Sequence, residues 1–356
     1  MTSDPHPLYC LILTLLFGQV SLTSQLTAGQ AQAPQVPQAP QVPQAPQLLS
    51  SSQWPKSVSY ASDIYVEIVQ QAPGPGGSLY RSNHFELISD HPLSIPALCD
   101  VLRVLEASYA SYQQLPLGFG YTTSGERHRV KLIERAHHYI QHGGIMGSGG
   151  VYLSDSREAL VHIDSLGIKQ SADGSIQSIE NLGIITHEVI HQLQHDWLEI
   201  LPTWLIEGMA VYMESVPCQD GTFQFQDMHF RAEKHLRRCS ENHYWITDIE
   251  HLMTITRDEW NQNFEASASS NEQYYVSAFL LTYYFLHLSD DVSGQHLRRY
   301  IESWQQDRNH AANSQRALTQ LMQGQSYQEL QASLIAAYAR QGLELTPYHG
   351  MSLQEL

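Results

Sequence analysis

The stretch from Ile184 to Glu214, IITHEVIHQLQHDWLEILPTWLIEGMAVYME, restricts the fold more tightly than any other part of this chain. It predicts two helices that have to lie side by side. On a first helix, read as Ser178 to Asp196 with Ser178 as its N-cap, His187 and His191 stand four residues apart. That is about one turn, so their imidazoles leave the same face. Glu188 is rotated from His187 by about 100°. Pro202 is placed to open a second helix, read as Pro202 to Ser215, because a first turn needs no donor there. Trp204, Leu205 and Met209 would pack that helix inward and leave Glu207 facing the first one. Gly208 and Ala210 are small enough to let the two helices approach closely.

Two imidazoles on one face suit a zinc ion, and a catalytic zinc takes three protein ligands with a fourth position open. His187, His191 and Glu207 are therefore the expected metal ligands, and Glu188 the expected general base, near the ion without binding it. In a chain with 19 histidines a bare His-Glu-x-x-His can arise by chance. The Trp-Leu-Ile-Glu-Gly segment at Trp204 to Gly208 is what makes the signal specific. His195 is a poor third ligand. A metzincin would carry its histidine six residues after His191, where this chain has Trp197. His195 is read as lying outside the ligand set, and His137 and His138 as surface groups.

The N-terminal part belongs to no fold. Leu8 to Leu22 is an apolar run of signal-peptide length, followed by small residues at Ala28, Ala31 and Ala33. No Lys or Arg precedes Lys56, so the basic start of a signal is missing, and an uncleaved anchor or a misassigned start stays open. Ala33 to Gln47 repeats Ala-Pro-Gln-Val-Pro-Gln; proline at every third position favours extended polyproline II and reads as a stiff spacer. The expected organisation is a signal peptide over 1–33, a Pro/Gln-rich linker over 34–55, an α/β subdomain over 56–176 and a helical, zinc-binding subdomain over 177–345. The expected location is secreted or periplasmic, with no stable membrane span once the signal is removed.

Net charge is −17 with histidine neutral, which argues against nucleic acid or an anionic membrane as partner. Of the four cysteines, Cys10 lies in the apolar leader, and Cys218 and Cys239 are a candidate pair in an oxidising compartment. Closing that loop would contribute about 3 kcal/mol in the chain-entropy picture. Two unpaired thiols are the alternative.

Through the body, Ile64 to Val69, Phe85 to Ser89, His128 to Ile133, Val151 to Leu153 and Ala159 to Ile163 read as strands. Ser94 to Gln113 reads as a helix, with Ala97, Val101, Val104, Leu105 and Tyr109 along one face. Helices are further expected at Met228 to Arg238, Asn271 to Leu288, Gly294 to Gln306, Ser314 to Met322 and Tyr327 to Arg340. The fold class is α+β, a small α/β unit ahead of a mostly helical one.

Residues 184–214 resemble the gluzincin branch of the zinc metallopeptidases, and most closely the compact exported peptidase-MA-like proteins. The likeness rests on Leu201 to Tyr212, which fits a Leu-Pro-x-Trp-Leu-x-Glu-Gly-x-Ala-x-Tyr pattern. It implies zinc as cofactor and a peptide or protein as substrate, with Glu188 moving a proton from the attacking water to the leaving amine. It also implies an oxyanion donor from a later helix, for which Tyr274 is the candidate and Tyr275 the second; an aromatic helix simply packing the core is the alternative. No Gly-x-Met-Glu-Asn segment precedes His187, which tilts the reading towards an endopeptidase. Two rivals remain: a zinc-dependent hydrolase of a non-peptide amide or ester, and a scaffold protein that keeps zinc without catalysis.

Overall fold

A computed structural model describes residues 54–60, 64–119, 125–228, 244–266, 268–289, 294–306 and 310–348. The chain opens with a short strand β1 (Val58–Ser59), followed by β2 (Glu67–Gln70), β3 (Ser78–Arg81) and β4 (Phe85–Ser89). Helix α1 (Ile95–Gln114) comes next; its N-cap is Ser94, whose hydroxyl accepts from the Ala97 amide. The chain continues through β5 (His128–Ile133), α2 (Ala136–Gln141), β6 (Gly150–Leu153) and β7 (Glu158–His162). Six of these strands form one mixed sheet in the order β2-β3-β4-β5-β7-β6. β5 runs parallel to β4 and β7, and the outer pairs are antiparallel.

Alternation along the strands gives this sheet two faces of different character. Tyr80, Phe85, Leu87, Val130, Leu132, Tyr152, Ala159 and Val161 belong to the main core with α1. The opposite face carries a small cluster of Ile133, Tyr139 of α2, Val151 and Leu160. Beside it lies a ladder of charges across four strands. Glu86 is 3.1 Å from Arg81 and 3.2 Å from Arg129, and Glu158 is 2.9 Å from Arg129 and 2.7 Å from Lys131. Burial would raise the Glu158 carboxyl, but Lys131 and Arg129 bring it below its ordinary value.

A hairpin of β8 (Ile168–Gln170) and β9 (Ile176–Ile179) leads into the helical half. Ser178 sits inside β9, paired with Lys169, and is not the N-cap expected of it. The turn around Asp173 and Gly174 folds this segment into a ladder first. Helix α3 therefore starts only at Gly183 and ends at Leu193. Helix α4 (Thr203–Ser215) follows with Pro202 as its N-cap, one residue from expectation. Two short strands, β10 (Cys218–Gln219) and β11 (Thr222–Phe223), return the chain to β1, which pairs with β11.

The described remainder contains helices at Ile249–Thr254, Arg257–Ala266, Ala268–Tyr283, Gln295–Gln306, His310–Leu321 and Tyr327–Arg340. The expected helix Asn271 to Leu288 is an α-helix to Tyr283 and a π-helical turn over Tyr284–Leu288. A parallel pair, β12 (Tyr244–Thr247) with β13 (Leu345–Tyr348), closes the helical half. One apolar core runs through the whole, from Val58 and Leu87 to Trp204, Phe279 and Tyr338. No described helix is long and apolar enough to cross a membrane. The leader, the proline repeat, most of the helix expected at Met228 to Arg238, and Cys239 lie outside the described residues. Cys218 is a free thiol, and burial pushes it up to about 12.

Candidate metal centre

α3 is apolar almost all round, with Ile184, Ile185, Val189, Ile190 and Leu193 buried beside its polar residues. Such a helix belongs in a core rather than on a surface. α4 is equally apolar, and Trp204, Leu205 and Met209 are wholly buried, as their spacing requires. The close approach made by Gly208 is not to α3, contrary to expectation. A Cβ there would lie 2.2 Å from Thr282 Oγ1 and 2.5 Å from the Ala278 carbonyl oxygen, both on the helix Ala268–Tyr283. That glycine seats α4 on the later helix and leaves the α3 side of α4 to Glu207. Gly183 is the residue that lies close at the α3–α4 contact, with the Glu214 side chain 3.0 Å from where its Cβ would be.

His187, His191 and Glu207 converge. Their donor atoms form a triangle: Nε2 to Nε2 is 2.9 Å, His191 Nε2 to Glu207 Oε2 is 3.2 Å, and His187 Nε2 to Glu207 Oε2 is 3.6 Å. A tetrahedral ion about 2.0–2.1 Å from each donor sets donor–donor edges of about 3.3 Å. The three side chains thus form the only such group of metal-capable residues among those described. Glu207 Oε2 is buried and receives no hydrogen bond of acceptable geometry, a deficit that a cation would satisfy.

The electrostatics reflect close packing of charge. Burial would lower the His187 imidazole, but Glu207 and Glu214 overcome this and hold it at about 9. Burial would raise Glu207, yet His191 and His187 bring it down to about 2. His191 is lowered by burial. Glu188 is 0 % exposed, neither of its carboxylate oxygens has a partner, and burial raises it well above the usual carboxylate range. It is wedged against β6, for a Cβ on Gly150 would lie 2.4 Å from its Oε1.

Two residues complete the site that the sequence reading did not assign. Glu214 accepts from His187 Nδ1 at 2.9 Å, fixing which nitrogen of that ring is left for a metal. Its spacing of seven from Glu207, two turns of one helix, was the available signal. Arg257 donates through Nη2 to the Leu198 carbonyl and holds the connector between α3 and α4. Burial lowers it, while the charge of Glu207 opposes that shift. No sequence pattern marked it.

Of the other residues considered, His195 and Tyr274 have partners of their own. His195 is half-buried, its Nδ1 bonded to the Tyr152 hydroxyl at 2.8 Å. Tyr274 has its hydroxyl 2.7 Å from His251 Nε2, and its ring lies against Trp260, which Tyr275 meets edge-on. His137 is exposed and His138 half-buried. No protein-family model and no curated protein matches this chain.

Proposed function

We propose that this chain is a zinc-dependent metallopeptidase, exported from the cytoplasm, and that residues 184–214 hold its active site in the gluzincin manner. The observation that carries the reading is the His187–His191–Glu207 triangle with the unpartnered carboxylate of Glu188 beside it. A structural zinc site would close all four positions with protein ligands. Here three donors converge and the next acidic group is a neighbour on α3, poised for proton transfer.

Bound by these three donors, zinc supplies Lewis-acid polarisation of a carbonyl and lowers the pKa of water. Glu188 takes the proton from the attacking water and returns it to the leaving amine. Burial by itself favours the protonated form of Glu188, so its action as a base depends on positive charge nearby. Glu214 holds His187 in one tautomer by accepting from Nδ1. The lining of β6 at Gly150 limits the room available to the Glu188 carboxylate and so fixes its direction.

Metal analysis of the purified mature chain, with a cleavage profile on a general peptide library, tests the reading. The expected result is one zinc per chain and peptide cleavage that Glu188→Gln abolishes while zinc is retained. A chain without zinc, or full activity in Glu188→Gln, overturns it. Cleavage of esters or non-peptide amides with peptides untouched would favour the neighbouring class of hydrolase.

A further inference from the structure

Among the described residues, two side chains are 0 % exposed with both terminal polar atoms unpartnered: Glu188 and Gln194. Glu188 has its role in the reading above. Gln194 has none, yet it caps the same helix. It stands seven residues after His187 and three after His191. Seven residues bring a helix back to within about 20° of its starting direction, so Gln194 continues the stripe on which the two histidines lie. Helical side chains lean towards the N-terminus, which carries this long carboxamide back over the His191 turn.

A buried carboxamide with neither donor nor acceptor satisfied is a standing cost to the fold, and native interiors keep very few. Gln192, two residues earlier, is satisfied on its donor side, although its Oε1 has no partner. It is also buried, and its Nε2 donates to the Arg157 carbonyl at 2.7 Å and to that of Arg129 at 3.2 Å. Gln194 is left without either. We infer that Gln194 is a substrate-binding residue whose carboxamide pairs with the main-chain N–H and C=O of one substrate residue, two groups that point the same way in an extended chain. Its Nε2 hydrogen donates to that residue's carbonyl and Oε1 accepts from its N–H. This rests on the peptidase reading above.

Recognition by main-chain amide rather than by side chain makes the site one for extended peptides of varied sequence.

Gln194→Met, which keeps length and removes both polar atoms, tests the inference in the full-length, zinc-loaded protein. KM for peptides cleaved by the wild type is expected to rise about tenfold or more, with kcat changed less. Zinc content is expected to stay the same and the melting temperature to hold or rise, because an unsatisfied buried group has been removed. A lower melting temperature, lost zinc or failure to fold would show that the carboxamide is structural, and the inference would be overturned. An unchanged KM in an active, zinc-loaded variant overturns the inference and leaves the peptidase reading standing. A zinc-loaded wild type that cleaves no peptide sinks that reading, and the inference with it.

Discussion

Replacing Gly150 with alanine probes the geometry around Glu188 most directly. The added Cβ would lie 2.4 Å from Glu188 Oε1, 2.7 Å from Cγ and 2.9 Å from Cδ. Comfortable carbon contacts begin at about 3.5 Å, so the carboxylate has to withdraw by about 1 Å. Gly150 is not among the residues with positive φ, and its backbone accepts alanine. Restricting the unfolded chain favours the variant by about 0.4–1 kcal/mol, and overpacking opposes it by about 1–3 kcal/mol. The net loss of stability is then between about 0 and about 2.6 kcal/mol. The loss of activity should be larger in effect, because a 1 Å misplacement of a reacting group costs about a hundredfold. Steady-state cleavage of a fluorogenic peptide, read beside zinc content and a thermal melt, separates the two. The expected variant is folded, carries zinc and is about a hundredfold slower. Activity within about threefold of wild type would refute the placement of Glu188 as the base. Loss of zinc would refute the idea that the strain stays on that one side chain.

Gly208→Ala is expected to behave in the opposite way. Its Cβ meets the Ala278 backbone at 2.5 Å, which has no free side-chain end to move. A urea midpoint should show a stability loss at the upper end of, or above, about 1–3 kcal/mol. Glu214→Ala removes the acceptor from His187 Nδ1 and should weaken zinc about 10–100-fold in a chelator competition, with the fold unchanged. His287 is held at about 4 by burial, with its Nε2 3.0 Å from the Tyr212 hydroxyl. In the unfolded chain it titrates near its ordinary value of about 6.5. The unfolded state thus takes up that proton first. Stability is unaffected above pH 6.5 and falls as pH drops from there to about 4, by up to about 3 kcal/mol. His287→Gln should remove that component from the pH dependence of urea unfolding.

The His187–His191–Glu207 cluster was legible because its geometry is tied to local spacing. A four-residue interval on one helix aims two imidazoles together, and Glu207 follows in a segment that can only be a second buried helix. What the sequence could not show is which neighbour a small residue serves. Gly208 was matched to α3 because α3 is close in sequence, but the tight contact is with Thr282, far along the chain. Gly150 was hidden for the same reason, since nothing in a glycine announces the carboxylate packed against it. Ser178 has the chemistry of an N-cap, yet ladder pairing with Lys169 took precedence over its local preference. The helix at Arg257–Ala266 is too polar to stand out as a core element. The parallel pair β12–β13 joins short segments far apart in sequence, so neither carries a local signature. Strands β4 and β5, by contrast, were read to the residue and β7 to within one at each end; β4 alternates one apolar face, while β7 is a short run buried on both.

His187, Glu188 and His191 are 0 % exposed and Glu207 is 5 % exposed. That burial fixes the donors rather than sealing the ion, whose fourth position has to stay open to substrate. Packed side chains cannot swing away one at a time, so a bound ion would have to lose its three protein donors almost together. Chelator stripping should then be slow, yet rise with chelator concentration, because the chelator enters where the substrate does.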